Sequence, residues 1–157
     1  MLKKILFTFK VLAIFSLLLS TSNAEIIKPN SNIKPSEVVK IQLSGLQKND
    51  FNFKDSGIEQ TWNFAHPKNR EVTGPLDNFK RMIKGDAYQM MINHLSHTIT
   101  QLGTGDNWAQ FEVIILDKEK IYHKFNWQVE KYSTDGPLKD CWLTTMVSNP
   151  IPLGSSI

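Results

Sequence analysis

Apolar residues recur at helical spacing in the first half of the chain and alternate with polar ones in the second. Val39, Leu43 and Leu46 stand at i, i+4, i+7, with Val38 and Ile41 widening the stripe. That pattern predicts a helix over 35–48, opened at Pro35 or Ser36 and closed by Asn49 and Asp50. Ile58, Trp62 and Ala65 repeat the spacing, and Ser56 and Glu59 have capping-box separation. This second helix is short, because His66 precedes Pro67 and a residue before proline avoids helical angles. Leu76, Phe79 and Ile83, with Met82 beside them, mark a third helix. Pro75 suits its first position, Lys80, Arg81 and Lys84 suit the negative end of its dipole, and Gly85 suits its close.

After Asp86 the period falls to two. Strands are predicted over 87–92, 94–102, 108–116, 121–132 and 141–147, with turns at 103–107, 117–120 and 135–137. In the longest, Ile121, His123, Phe125, Trp127 and Val129 point one way, and Tyr122, Lys124, Asn126, Gln128 and Glu130 the other. Phe111, Val113 and Ile115 share one side of the strand before it. One apolar and one polar face per strand means an antiparallel sheet covered on one side only. Helices first and hairpin-linked strands after them give an α+β fold, N-terminal helices packed on a curved antiparallel sheet.

The ends read differently. Lys3 and Lys4 precede an apolar run from Ile5 to Leu19, and Ser22 and Ala24 put small residues where a signal peptidase reads. Residues 1–24 are therefore expected to be a signal peptide, cleaved before Glu25, and the protein to be exported to a periplasm, a thylakoid lumen or the outside of the cell. A spanning helix needs about 20 apolar residues, and Lys10 interrupts the run, so no stable membrane span is expected after cleavage. Residues 25–34 read as a flexible leader, 35–148 as a single domain, and 149–157, with Pro150, Pro152 and Gly154, as a loose tail.

The signal changes the charge. Lys3, Lys4 and Lys10 are among 18 Lys and Arg, and no acid precedes Glu25, so the remaining 15 bases balance the 15 acids. With no net basic field to neutralise phosphates, nucleic acid is not an expected partner. Cys141 is the single cysteine. It can close no intrachain disulfide and build no Cys-rich zinc site, and its plain role is a small buried hydrophobe.

Several runs carry a resemblance: Trp62-Asn63-Phe64-Ala65, Asn69-Arg70-Glu71-Val72-Thr73-Gly74-Pro75-Leu76, Phe79 with Met82-Ile83, Tyr88, Trp127, and Asp140-Cys141-Trp142-Leu143, with Gln42-Leu43 and Asn49-Asp50 before them. Together, over roughly 36–147, they resemble an uncharacterised family, the domain of unknown function 4864. Its members look like nuclear transport factor 2-like (cystatin-like) domains. The resemblance implies helices in the concave side of a bent sheet, with a conical pocket at one end. It supplies no reaction, and fold-level analogy says little about function.

Candidate chemistry is sparse. The apolar strand files hold no Asp or Glu; Glu112 falls on the solvent side, and Asp86 is assigned to turn chemistry. His123 lies between Ile121 and Phe125 on the inward face, as a base, a ligand contact or a plain structural residue. His94 and His97 stand three apart on a predicted strand, so they face opposite sides, and metal binding is not expected. Arg70 either clamps an anion at a pocket mouth or holds the loop between two helices through backbone carbonyls, and the turn chemistry of Gly74-Pro75 favours the second. No nucleophile elbow, phosphate loop or dinucleotide fingerprint is present, so no cofactor and no catalytic residue is assigned. Trp62, Tyr88, His123 and Trp127 are expected to line one ligand cavity. Three function classes stay open: a noncatalytic module for a small apolar ligand or partner protein, a pocket enzyme of isomerase or hydrolase type using His123 or Tyr88, and a homodimer built on the open sheet face.

Overall fold

The computed structural model describes residues 25–156, so the expected signal segment lies outside the described residues. Four helices come first: α1 (Pro35–Gln47), α2 (Ser56–Asn63), α3 (Pro67–Thr73) and α4 (Leu76–Ile83). Five antiparallel strands follow: β1 (Ser96–Thr104), β2 (Trp108–Leu116), β3 (Ile121–Lys131), β4 (Trp142–Val147) and β5 (Ile151–Ser155). The sheet runs β1-β2-β3-β4, with β5 also on β3, and it is open at its edges. No helix among the described residues is long and apolar enough to cross a membrane.

The fold class follows the sequence pattern. Val38, Val39, Leu43 and Leu46 of α1 are buried against Phe111, Val113 and Ile115 of β2 and Phe125, Trp127 and Val129 of β3 in one core. Alternation in β3 is clean, with Phe125 and Val129 fully buried while Tyr122 and Asn126 are exposed. Register shifts at Gln101/Gly103, Tyr122/His123 and Gln128/Val129 interrupt the ladders, and such bulges bend a sheet locally.

Helix α2 is set against α1 by two glycines. A methyl group on Gly57 would lie 2.0 Å from the Gly45 carbonyl oxygen, so the backbones touch there. The start of α2 differs from the expected capping box. Asp55 is the N-cap, in the left-handed region at φ 64°, and Ser56 Oγ instead donates to the Asn49 carbonyl (2.9 Å). Asn49 Oδ1 accepts from Ile58 N–H (3.0 Å), and Asp55 pairs with Lys84 at 2.7 Å.

Other expectations are corrected as well. Residues 67–73 form helix α3, in which Pro67 takes the first position. His66 caps α3, its Nδ1 accepting from Lys68 N–H (3.1 Å). Pro75 is the N-cap of α4 and not its first helical residue. Residues 87–92 hold a 3-10 turn at Gln89–Met91, and among the described residues no strand pairs with them. The tail expected to be loose supplies β5. Residues 142–147 and 151–155 run in succession along the same edge of β3, so β4 and β5 act as one long strand broken near Asn149 and Pro150. At the other end, Ile27 of the expected leader exchanges two hydrogen bonds with the Gln60 carboxamide (2.7 and 2.8 Å).

Candidate functional site

Gln42 is the residue around which a site is built. It lies on the apolar stripe of α1, between Val39 and Leu46, and is only 1% exposed. A buried amide needs partners, and three elements supply them. Its Oε1 accepts from Trp127 Nε1 on β3 (3.2 Å) and from Thr144 Oγ1 on β4 (2.7 Å). Its Nε2 donates to the Thr61 carbonyl at the end of α2 (3.1 Å). Because an indole nitrogen can only donate, Trp127 fixes which way this amide faces. The network ties α1, α2, β3 and β4 together at the sheet edge.

Strand β4 is held there from its other side. His66 N–H donates to the Thr144 carbonyl (2.8 Å), and Thr144 N–H donates to the Phe64 carbonyl (2.7 Å). The segment leaving α2 thus pairs in parallel with β4 at Ala65 and Thr144. Arg70 secures the turn, Nε donating to the Ala65 carbonyl (3.1 Å) and a terminal nitrogen to the Asn63 carbonyl (2.8 Å). Its guanidinium lies 5.2 Å from the Trp62 ring centre. Arg70 therefore takes the backbone-holding role.

Between these elements lies a cavity of about 230 Å³. Leu46, Phe79, Met82, Ile83, Met91, Met146 and Val147 give it apolar walls. Tyr88 and Trp127 face it, with Gln42, Asn69 and the hydroxyl residues Thr61, Thr73, Thr144 and Thr145. No Asp, Glu, His, Lys, Arg or Cys is among the lining residues. The one titratable group is the Tyr88 phenol, whose pKa burial pushes up, and which donates to the Val147 carbonyl at 3.3 Å.

The four residues expected in one cavity do not all meet. Tyr88 and Trp127 line it. Trp62 stands one layer back, packed on Phe79 with ring centres 5.0 Å apart. His123 is at the β2–β3 hairpin end of the sheet and is not among the lining residues. There its Nε2 meets Asp117 Oδ2 at 2.6 Å, while its Nδ1 is buried with no hydrogen-bond partner among the described residues. Burial alone would raise the Asp117 pKa, but hydrogen bonds from Ile121 N–H and the His123 ring outweigh it and hold the carboxyl below its usual value. Asp117 is the inward carboxylate that the sequence reading lacked. Its parity continues the file of Val113 and Ile115 past the end of β2 into the hairpin.

His94 and His97 also correct an expectation. Asn93, in the left-handed region at φ 55°, turns the chain before β1, so His94 is not part of the strand and the two rings come together. His94 Nδ1 lies 2.6 Å from the Met91 carbonyl and can only donate to it; its Nε2 lies 2.7 Å from His97 Nδ1. Desolvation pushes the His94 pKa down to about 4, and the His97 pKa is lowered for the same reason, with Lys40 adding to it. Among the described residues no three His, Cys, Asp or Glu side chains are grouped so as to hold a metal ion. Cys141 is buried, and burial raises its thiol pKa.

No protein-family model, no curated protein and no solved structure matches the chain. The family resemblance rests on the residues that carry it.

Proposed function

We propose that this is an exported, noncatalytic domain that binds a small, uncharged, largely apolar molecule in the cavity beside Trp127. The observation that carries the reading is the composition of the cavity wall: apolar and aromatic surface, a few hydroxyl and amide groups, and no ionised side chain. Ligand sites are commonly built this way. A general acid or base would have to stand within hydrogen-bond reach of the reacting atom, and the wall offers only a phenol that burial holds protonated. His123 is engaged by Asp117 at the hairpin end, which speaks for a structural role and against the enzyme reading. As part of the same proposal, the helices and bent sheet form a cone of the nuclear transport factor 2-like kind, with this cavity as its pocket. Helix-then-strand order and the bulged sheet support that shape.

Size sets the ligand. A cavity of 150 Å³ holds benzene, so about 230 Å³ suits a molecule of roughly ten heavy atoms. The test is a graded series of neutral aromatics, toluene, naphthalene and anthracene, followed by thermal melting and tryptophan fluorescence. Toluene and naphthalene should raise the Tm and perturb Trp127 emission, and anthracene should do neither. Val147→Phe and Met82→Phe, two independent ways of filling the space, should abolish the response while leaving a cooperative melt. No response to any member of the series would sink the proposal.

A further inference from the structure

The hydrogen-bonding capacity of the cavity wall is lopsided, and this selects among small apolar molecules. Every hydroxyl hydrogen on the wall is committed to an acceptor of the protein. Thr61 donates to the Gly57 carbonyl (2.9 Å) and Thr73 to the Asn69 carbonyl (2.8 Å). Thr144 donates to Gln42 Oε1 (2.7 Å), Thr145 to the Gln128 carbonyl (3.4 Å) and Tyr88 to the Val147 carbonyl (3.3 Å). Four of these five partners are backbone carbonyls, which cannot donate in return, and the fifth is the amide oxygen that Trp127 orients. The direction of each bond is therefore settled by chemistry. The Trp127 N–H is likewise spent on Gln42 and Thr144.

What remains is mostly lone pairs. A hydroxyl that has donated its hydrogen still accepts, and Asn69 Oδ1 adds a further acceptor. Among side chains, against them stand only the second N–H of the Gln42 amide and of the Asn69 amide, whose first hydrogens go to the Thr61 and Thr144 carbonyls. Gln42, at 1% exposure, is the least open of these groups, below Thr144 at 3% and Thr61 at 5%. We infer that the ligand is a neutral aromatic or alicyclic molecule of roughly ten heavy atoms that carries one hydrogen-bond donor, an N–H or O–H, aimed at the threonine hydroxyl oxygens. A ligand that only accepts would leave its acceptor facing lone pairs and unpaired, which disfavours it. This inference rests on the cavity being the binding site.

Three probes of one shape test it. Indole carries an N–H, benzofuran replaces that with an acceptor oxygen, and indene replaces it with CH₂. A cavity blind to hydrogen bonding ranks them by hydrophobicity, with indene bound more tightly than indole. The lone-pair wall predicts the reverse, with indole about tenfold tighter than either analogue, as one satisfied hydrogen bond allows. Calorimetric titration of the intact protein reads all three. Thr61→Val and Thr73→Val, separately, should weaken indole severalfold and leave indene unchanged. Indene or benzofuran binding as tightly as indole, or both valine variants leaving indole affinity intact, would overturn the donor assignment while the cavity stands as a binding site. If none of the three binds, the binding reading itself has failed.

Discussion

The Gln42 network invites a perturbation whose sign depends on pH. Gln42→Glu keeps the side-chain shape. When protonated, the introduced carboxyl has an O–H that can donate to the Thr61 carbonyl, and an oxygen that can accept from Trp127 and Thr144, so it can make all three bonds of the amide it replaces. When ionised it has no donor, faces the Thr61 carbonyl oxygen, and sits at a position 1% exposed to water. Burial of this kind raises a carboxyl pKa. A raised folded-state pKa gives stability that is present below the unfolded value, about 4.3, and lost as pH rises through the window up to the folded value. The difference from wild type should be small near pH 4.5 and should grow by about 1.4 kcal/mol per pH unit, reaching about 3–4 kcal/mol by pH 7 if the folded pKa lies that high. Native stabilities are about 5–15 kcal/mol, so the loss is large. Urea unfolding of both proteins from pH 4.5 to 7.5 reads it, since at about 1–3 kcal/mol/M the midpoint should shift by a molar or more. Gln42→Met, which strands the Thr144 hydroxyl hydrogen, should cost about 2–4 kcal/mol at every pH. Parallel stability curves for Gln42→Glu and wild type would refute the picture of a dry, fully engaged amide.

Other predictions test neighbouring parts of the structure. Gly57→Ala drives a methyl group to 2.0 Å from the Gly45 oxygen and should cost about 3 kcal/mol or more. Gly45→Ala meets its nearest atoms at 3.3 Å, gains helix propensity of about 1 kcal/mol, and should stay near neutral; equal effects in chemical denaturation would mean the helices do not touch there. The His94 pKa, lowered from 6.5 to about 4, means that the unfolded chain takes up a proton the folded one refuses. Stability should be complete above pH 6.5 and fall by up to about 3 kcal/mol as pH drops to 4, with His94→Gln flattening that slope. Arg70→Lys replaces a rigid fork whose two nitrogens each hold a carbonyl by one flexible ammonium, and should cost about 1–2 kcal/mol without changing the affinity for a neutral probe; a changed affinity would place the guanidinium at the ligand.

Much of the architecture was legible because it rests on periodicity. The stripe of α1 and the alternation of β2 and β3 are statements about one face of one element, and the sequence contains them in full. The misses fall where the partner decides. Residues 87–92 alternate in the manner of a strand, yet among the described residues no strand pairs with them. Residues 151–155 carry two prolines and glycine within or beside them and read as loose, but β3 offers an unpaired edge that the chain must pass. The candidate site was half legible. Strand parity placed Trp127 inward, but parity cannot tell how far along a strand a side chain lies, so His123 shared a face with Trp127 and not a cavity. The role of Gln42 is not legible in the sequence, because a polar residue on an apolar stripe gains meaning only through its partners, 19, 85 and 102 positions away. Asp117 could have been found by continuing the parity of Ile115 into the hairpin.

The most direct test of the binding site uses the methionine methyl groups. The chain has five methionines; Met82, Met91 and Met146 line the cavity, and Met90 does not. In a methyl NMR spectrum of protein labelled at methionine, adding indole should shift the signals of Met82, Met91 and Met146 together, along one saturable curve, and leave Met90 in place. Saturable binding with those three signals unmoved would put the ligand elsewhere, and the cavity beside Trp127 would not be the site.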